Sequence, residues 1–179
     1  MLTRNRINSK KDSFFEFCWN IYEESFPKEE KRSLSYHIET LKKEIFHFDA
    51  ILSNGKPIGI LCWWELDNFR YCEHFAILTT ERAKGYGKIA LSNFIQEDTK
   101  PIIIEVEHPT DDICRRRIAF YERLGFQLNP HKYAQPSYHH KDDNFVDLLI
   151  MTYPNLIEKE LLDNFVSLCL PIIHFHLRR

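Results

Sequence analysis

"TTERAKGYGK", residues 79–88, carries two of the chain's five glycines, Gly85 and Gly87, among the charged side chains of Glu81, Arg82, Lys84 and Lys88. The apolar run "HFAIL" (74–78) precedes it and a helical pattern, "KIALSNFIQE" (88–97), follows. Strand, polar glycine loop and helix together form the local architecture of a phosphate-binding site. The free N–H groups of a helix start and its positive dipole end both favour an anion. A glycine lets the backbone approach that anion because no Cβ intervenes. The amides from Arg82 to Lys88 can converge as an anion nest, and Arg82, Lys84 and Lys88 add charge. Tyr86, between the glycines, reads as a packing or solvent-facing residue.

Upstream of this stretch the chain changes period once. "DSFFEFCWNIYEESF" (12–26) has helical apolar spacing, with Asp12 as a candidate N-cap and Pro27 as its stop, and "SLSYHIETLKKE" (33–44) reads as a second helix. From His47 the pattern is that of strands. "HFDAILSN", a turn at Asn54-Gly55 and "KPIGILCWWEL" predict a hairpin, and "RYCEHFAIL" (70–78) a third strand. Downstream, "PIIIEVE" (101–107) has the β-branched density of a buried strand. "DDICRRRIAFYERL" (111–124) reads as a helix started by Asp111 or Asp112 and stopped by Gly125. "FQLN" and "NFVDLLIMTY" are two more strands, joined by the loop "PHKYAQPSYHHKDD" (130–143). The expected fold is α/β: antiparallel N-terminal strands, a parallel pair splayed around the glycine loop, and flanking helices. A single domain over 1–179 is expected, with an extra C-terminal helix at about 155–177.

The bulk properties exclude more than they assign. With 179 residues, 44% hydrophobic and 28% charged, the chain is of ordinary globular composition. A net charge of −2 gives no reason to expect nucleic-acid or membrane-surface binding. No signal-peptide core or membrane-length apolar stretch is read in it. The five cysteines have no CxxC spacing, which suits a reducing, cytoplasmic setting without a structural zinc. Nine histidines include "HH" at 139–140 and "HFH" at 174–176, but neither has an i,i+4 partner, so no metal is expected.

Three readings of the glycine loop compete. A Walker loop requires GxxxxGK[ST], which is missing. "GYGKIA" formally matches a Rossmann GxGxxA with Glu105 about twenty residues on, but "TTERAK" separates the glycines from their strand and too few parallel βα units follow. The third reading takes in "RAKGYG" as [R/Q]-x-x-G-x-G/A and "RIAFYERLGF" one strand and one helix later. With both elements at this spacing, roughly residues 45–153 resemble the GCN5-related N-acetyltransferases (GNAT). The resemblance implies acetyl-CoA as co-substrate, its pyrophosphate held by Arg82, Ala83, Lys84, Gly85, Tyr86, Gly87 and Lys88. It also assigns Phe75, Ala76 and Ile77, on the strand entering the loop, to the cofactor.

Acetyl transfer to an amine needs an unprotonated nitrogen, a polarised thioester and a proton for the departing thiolate. The resemblance puts the general acid on Tyr121, the alternative being an aromatic that packs beneath the cofactor. Glu105 and Glu73 are the candidate bases, because a glutamate inside an apolar strand is costly unless paired or functional. Glu107 shares the face of Glu105, and His74, expected opposite Glu73, reads as a hydrogen-bonded core histidine. Many family members carry an asparagine where this chain has Cys114 or Asp112, so that contact to the pantetheine arm is not carried over. "YEESFPKEEKRS" (22–33) and the loop residues Tyr133, Gln135, Pro136 and Tyr138 are expected to line the acceptor, a small-molecule or peptide amine. A non-catalytic acyl-CoA sensor is the rival reading. The apolar tail is expected to pack on its own domain or in a homodimer.

Overall fold

The computed structural model describes residues 1–136, 138 and 145–174. The chain divides into two compact units, Met1–Lys100 and Pro101–Arg179. The first contains strand β1 (Leu2–Arg6), helices α1 (Phe15–Ser25) and α2 (Leu34–Thr40), strands β2 (Phe46–Ser53), β3 (Lys56–Glu65) and β4 (Arg70–Ile77), and helix α3 (Tyr86–Gln96). Its four strands pair antiparallel in chain order. The α/β class and the antiparallel N-terminal strands are therefore as expected.

One strand, β1, is additional to the sequence reading. Its inward face consists of Leu2, Arg4 and Arg6, so no hydrophobic alternation announces it. Arg4 reaches Asp49 at 3.3 Å, and Arg6 donates to the carbonyls of Glu44 and Phe46, both at 2.7 Å. Cationic side chains with apolar stems thus close this sheet edge. The α1 core face is Phe15, Cys18, Ile21 and Tyr22, as the helical spacing requires. Asp12 does not cap α1. Its carboxylate accepts from the Phe14 amide (3.1 Å) in a turn that precedes the helix.

The β2–β3 hairpin turns at Asn54 and Gly55, whose φ values of 50° and 78° give the expected primed turn. At Gly59 a Cβ would stand 2.5 Å from the Ala76 carbonyl oxygen, so β3 and β4 can approach only with glycine there. The β3–β4 register slips between Cys62, opposite His74, and Trp63, opposite Cys72. Glu73 is the extra residue of a β-bulge. The expected opposition of Glu73 and His74 therefore fails: the bulge breaks the two-residue alternation, and His74 Nδ1 lies 3.8 Å from the Glu73 carboxylate.

The second unit contains β5 (Ile102–Val106), α4 (Asp112–Glu122), β6 (Gln127–Leu128), β7 (Tyr133–Pro136), β8 (Phe145–Tyr153), α5 (Lys159–Asn164) and α6 (Leu170–Ile173). Strands β5, β6 and β7 all pair antiparallel with β8. Part of the expected loop 130–143 is thus a strand, too short and too near Pro136 to show a period. Helix α4 starts as read, with Asp111 accepting from the Cys114 amide at 2.8 Å, and ends at left-handed Gly125 (φ 92°).

The tail is helical from Lys159 to Ile173 but not uniformly so. A π-helical turn, Phe165–Cys169, separates α5 from α6 just before Pro171. Proline has no N–H for the preceding turn and its ring crowds that carbonyl, and the wider turn absorbs the mismatch. Leu162, Phe165, Leu170 and Ile173 are buried, and the Ile157 amide donates to Asn129 at 3.0 Å. The tail packs on its own unit. Among the described residues no helix is long and apolar enough to cross a membrane. His139 and His140, the tail beyond His174 and the last residues of the expected 155–177 helix lie outside the described residues.

Candidate active site

The loop after β4 is built by two left-handed residues. Ala83 has φ 62° and Gly85 φ 81°, the left-handed conformation that recurs in anion-binding loops. Gly85 is the N-cap of α3, without a side-chain cap. No acidic residue occupies the first turn of α3, so nothing there offsets the positive dipole end. A Cβ on Gly85 would meet nothing within 4 Å, so the glycine is required by its backbone angle and the space over it is open. Arg82 Nε donates to the Ile77 carbonyl (3.0 Å) and ties the loop to the strand end. Lys84 Nζ donates to Glu81 at 2.9 Å, and Lys88 is exposed. Phe75, Ala76 and Ile77 are ladder residues of β4, opposite Leu61, Ile60 and Gly59.

Glu73 is occupied by a counter-ion that the sequence reading missed. Arg32 donates through Nη1 to Oε2 at 2.8 Å and through Nη2 to Oε1 at 2.5 Å, with both side chains 0% exposed. Trp64 Nε1 donates to Oε2 at 2.9 Å. Burial by itself would raise the Glu73 carboxyl, but the Arg32 guanidinium, helped by His74, holds it well below the usual carboxylate range. The Arg32 amide donates to the Tyr22 hydroxyl (2.8 Å), and His74 Nε2 donates to the Glu30 carbonyl (2.7 Å). The link between α1 and α2, expected to line the acceptor, is thereby pinned to the β4 bulge. Its sequence signal was indirect: a glutamate in an apolar strand needs a partner, but nothing in the chain says which of its cations is nearby.

In the second unit, Glu105 lies on β5 opposite Ile150 of β8 and is half-buried. The Tyr133 hydroxyl donates to its Oε1, and Gln135 Nε2 donates to its Oε2 at 2.7 Å. Glu107, two residues on, pairs with Arg117 of α4. Burial pulls the Arg117 guanidinium down, but the Glu107 carboxylate outweighs it and the net shift is upward. Tyr121 is buried on α4, its ring 5.3 Å from Phe120 and 5.6 Å from Phe126, and within electrostatic reach of Arg117. Among the described residues no three His, Cys, Asp or Glu side chains are placed to hold a metal ion.

Comparison with known proteins bears on the family and the fold. A model described as the acetyltransferase (GNAT) family matches residues 12–126. A GNAT-family protein from Bacteroides thetaiotaomicron is 33% identical, covers 96% of this chain and 98% of its own, and superposes with a TM-score of 0.88. Two more distant structures share the fold. The ribosomal-protein-S18-alanine N-acetyltransferase of Escherichia coli is 18% identical with a TM-score of 0.60, over 88% of this chain and 96% of its own. An acetyl-CoA-bound GNAT acetyltransferase of Elizabethkingia anophelis is 12% identical with a TM-score of 0.56, over 84% of this chain and 96% of its own. No curated protein sequence matches.

Proposed function

The chain belongs to the GNAT acetyltransferase family, and from that premise we propose that it moves an acetyl group from acetyl-CoA directly to a primary amine of a small molecule or peptide. The observation that carries this reading is the 82–88 loop: left-handed Ala83 and Gly85, open space over Gly85, and an α3 start with no acidic residue in its first turn. Such a loop suits a pyrophosphate, and the Elizabethkingia anophelis structure carries acetyl-CoA on the same fold. Arg82 steadies the loop through Ile77, and Lys88 supplies exposed positive charge.

In the transfer the amine nitrogen attacks the thioester carbonyl, the C–N bond forms and the C–S bond breaks. Glu105 takes the amine proton, directly or through a water, and Tyr121 donates a proton to the CoA thiolate. Glu105 is preferred to Glu73 because Arg32 already neutralises Glu73 inside the core. An ion pair with no exposure is a poor proton acceptor at neutral pH. The Tyr121 role is supported by the "FYERLGF" stretch that carries it and by its burial on α4.

The test is CoA-thiol release from acetyl-CoA against a panel of primary amines, with mass spectrometry of the acetylated product. Turnover is expected with at least one amine, and Tyr121→Phe should lower kcat by about 10²-fold, with little change in the KM for acetyl-CoA. A chain that binds CoA yet acetylates none of the panel would instead be a non-catalytic acyl-CoA sensor.

A further inference from the structure

Helix α3 has no electrostatic finish of its own. Its last turn carries no basic residue, and two acidic residues, Glu97 and Asp98, follow it. The negative dipole end and the last carbonyls of the helix are therefore served by cations from elsewhere in the fold. Two arginines supply the charge, both from strands. Arg4 of β1 pairs with the Glu97 carboxylate. Arg70, the first residue of β4, takes the backbone itself. Its Nη1 donates to the Phe94 carbonyl at 2.5 Å, and its Nη2 to those of Ile95 and Asp98 at 3.3 and 3.0 Å.

Arg70 is 2% exposed, and its guanidinium carbon lies 4.5 Å from the centroid of the buried Phe94 ring. A rigid guanidinium shared among several carbonyls fixes orientation as well as distance. The apolar grip of α3 is small by comparison: Ala90, Leu91 and Phe94 are its buried residues, and Ile89 is exposed. Apolar burial is non-directional, so it resists separation better than it resists sliding or tilting. The far end of the same strand is tied as well, through Arg82 Nε on the Ile77 carbonyl. Strand β4, the glycine loop and α3 thus form a closed unit. Arg70 stands at its end remote from the glycines, about 16 Å away along an 11-residue helix.

We propose that Arg70 is a positioning residue for the cofactor: by holding the C-terminal carbonyls of α3 against the start of β4, it sets where the amides at the other end of the helix meet the pyrophosphate. This rests on the reading of the 82–88 loop as the CoA phosphate site. Arg70 acts on the ligand only through the helix.

The experiment titrates the 15N-labelled full chain by NMR with CoA and with pantetheine, the part of CoA that lacks every phosphate. Wild type should bind CoA at least about 100-fold more tightly, as hydrogen bonds to a charged group require. Arg70→Met keeps the apolar stem and removes the donors. That preference should then fall about 10-fold with the pantetheine Kd unchanged, since misaligned hydrogen bonds weaken steeply. Arg70→Lys keeps the charge but not the fork and should lose about 3-fold; it carries the comparison if Arg70→Met does not stay folded. The Gly85 and Gly87 amide resonances, identified by their loss in Gly85→Ala and Gly87→Ala, should shift in the ligand-free Arg70 variants. Leu162→Ala truncates a buried residue of the other unit, so it costs stability but should leave the preference and the glycine resonances as in wild type.

An unchanged preference and unchanged glycine resonances in the folded Arg70 variants overturn the positioning role and leave the loop as the phosphate site. A loss in Leu162→Ala equal to that in Arg70→Met reduces the effect to stability and overturns it too. A wild-type chain that binds pantetheine as tightly as CoA removes the phosphate reading of the loop, and the positioning role falls with it.

Discussion

An arginine and a glutamate that share two hydrogen bonds with no exposure to water stabilise a fold chiefly by not being separated. Removing one partner leaves an uncompensated buried charge, which costs about 3–5 kcal/mol, whereas replacing both by apolar residues is often close to neutral. Arg32→Met should therefore destabilise the chain by that amount in urea unfolding, and Arg32→Met with Glu73→Leu should recover most of it. A double variant no better than the single one would mean that Trp64 and His74, not charge, define the pocket. The same pair shows how two strand glutamates that look alike in sequence come to stand in different surroundings. Both stand among apolar neighbours in "YCEHF" and "IIIEVE". What distinguishes them is the donor each meets, a guanidinium from the α1–α2 link or a phenol and an amide from β7.

Among the elements, the glycine loop and α3 carry the cofactor prediction. CoA and acetyl-CoA should raise the melting temperature, since a ligand that binds only the native state adds about 2.7 kcal/mol at a hundred times its Kd. NADH should not. Gly85→Val puts a β-branched residue at φ 81°, a left-handed conformation that costs about 1–2 kcal/mol, and its side chain enters the space open for phosphate. The variant should melt somewhat lower and lose most of its CoA-dependent shift. An undiminished CoA shift in Gly85→Val would place the phosphates elsewhere. Most elements were legible because local signals agree with the fold: the Asn54-Gly55 turn, the Asp111 cap, the Gly125 stop, the apolar stripe of α1. Strand β1 was not, because arginines form its inner face, and β7 was not, because four residues ending in proline show no period.

For the molecule as a whole, buried ionisable groups set the pH range of stability. His37 is ringed by Trp19, Tyr22 and Phe48 at centroid distances of 5.0, 5.2 and 4.6 Å, and neither ring nitrogen has a hydrogen-bond partner among the described residues. Burial, with Arg32 second, lowers its pKa to about 3 from 6.5. Burial, with Arg6 and then Arg4, lowers that of His47 to about 4. Each folded pKa lies below its unfolded value, so the unfolded chain binds more protons, and stability is lost as pH falls from 6.5 toward 3. Glu73 adds to the loss below pH 4.5, while Asp49, raised by burial, opposes it in part. At the other end, Cys18 and Cys72, pushed up to about 12 by burial, cost stability above pH 9. Unfolding free energy should thus be greatest between about pH 6.5 and 9. His37→Phe should flatten the acid side by up to one proton, about 1.4 kcal/mol per pH unit, and an unchanged slope would count against His37 as its source. The sequence by itself determined what depends on neighbours along the chain: the class of fold, the place of most helices and turns, and a loop shaped for an anion. Only the tertiary structure decided what depends on partners far apart in sequence. It set the Glu73 bulge, the counter-ion from Arg32 and the two donors on Glu105, because a carboxylate's basicity and aim come from the groups packed against it.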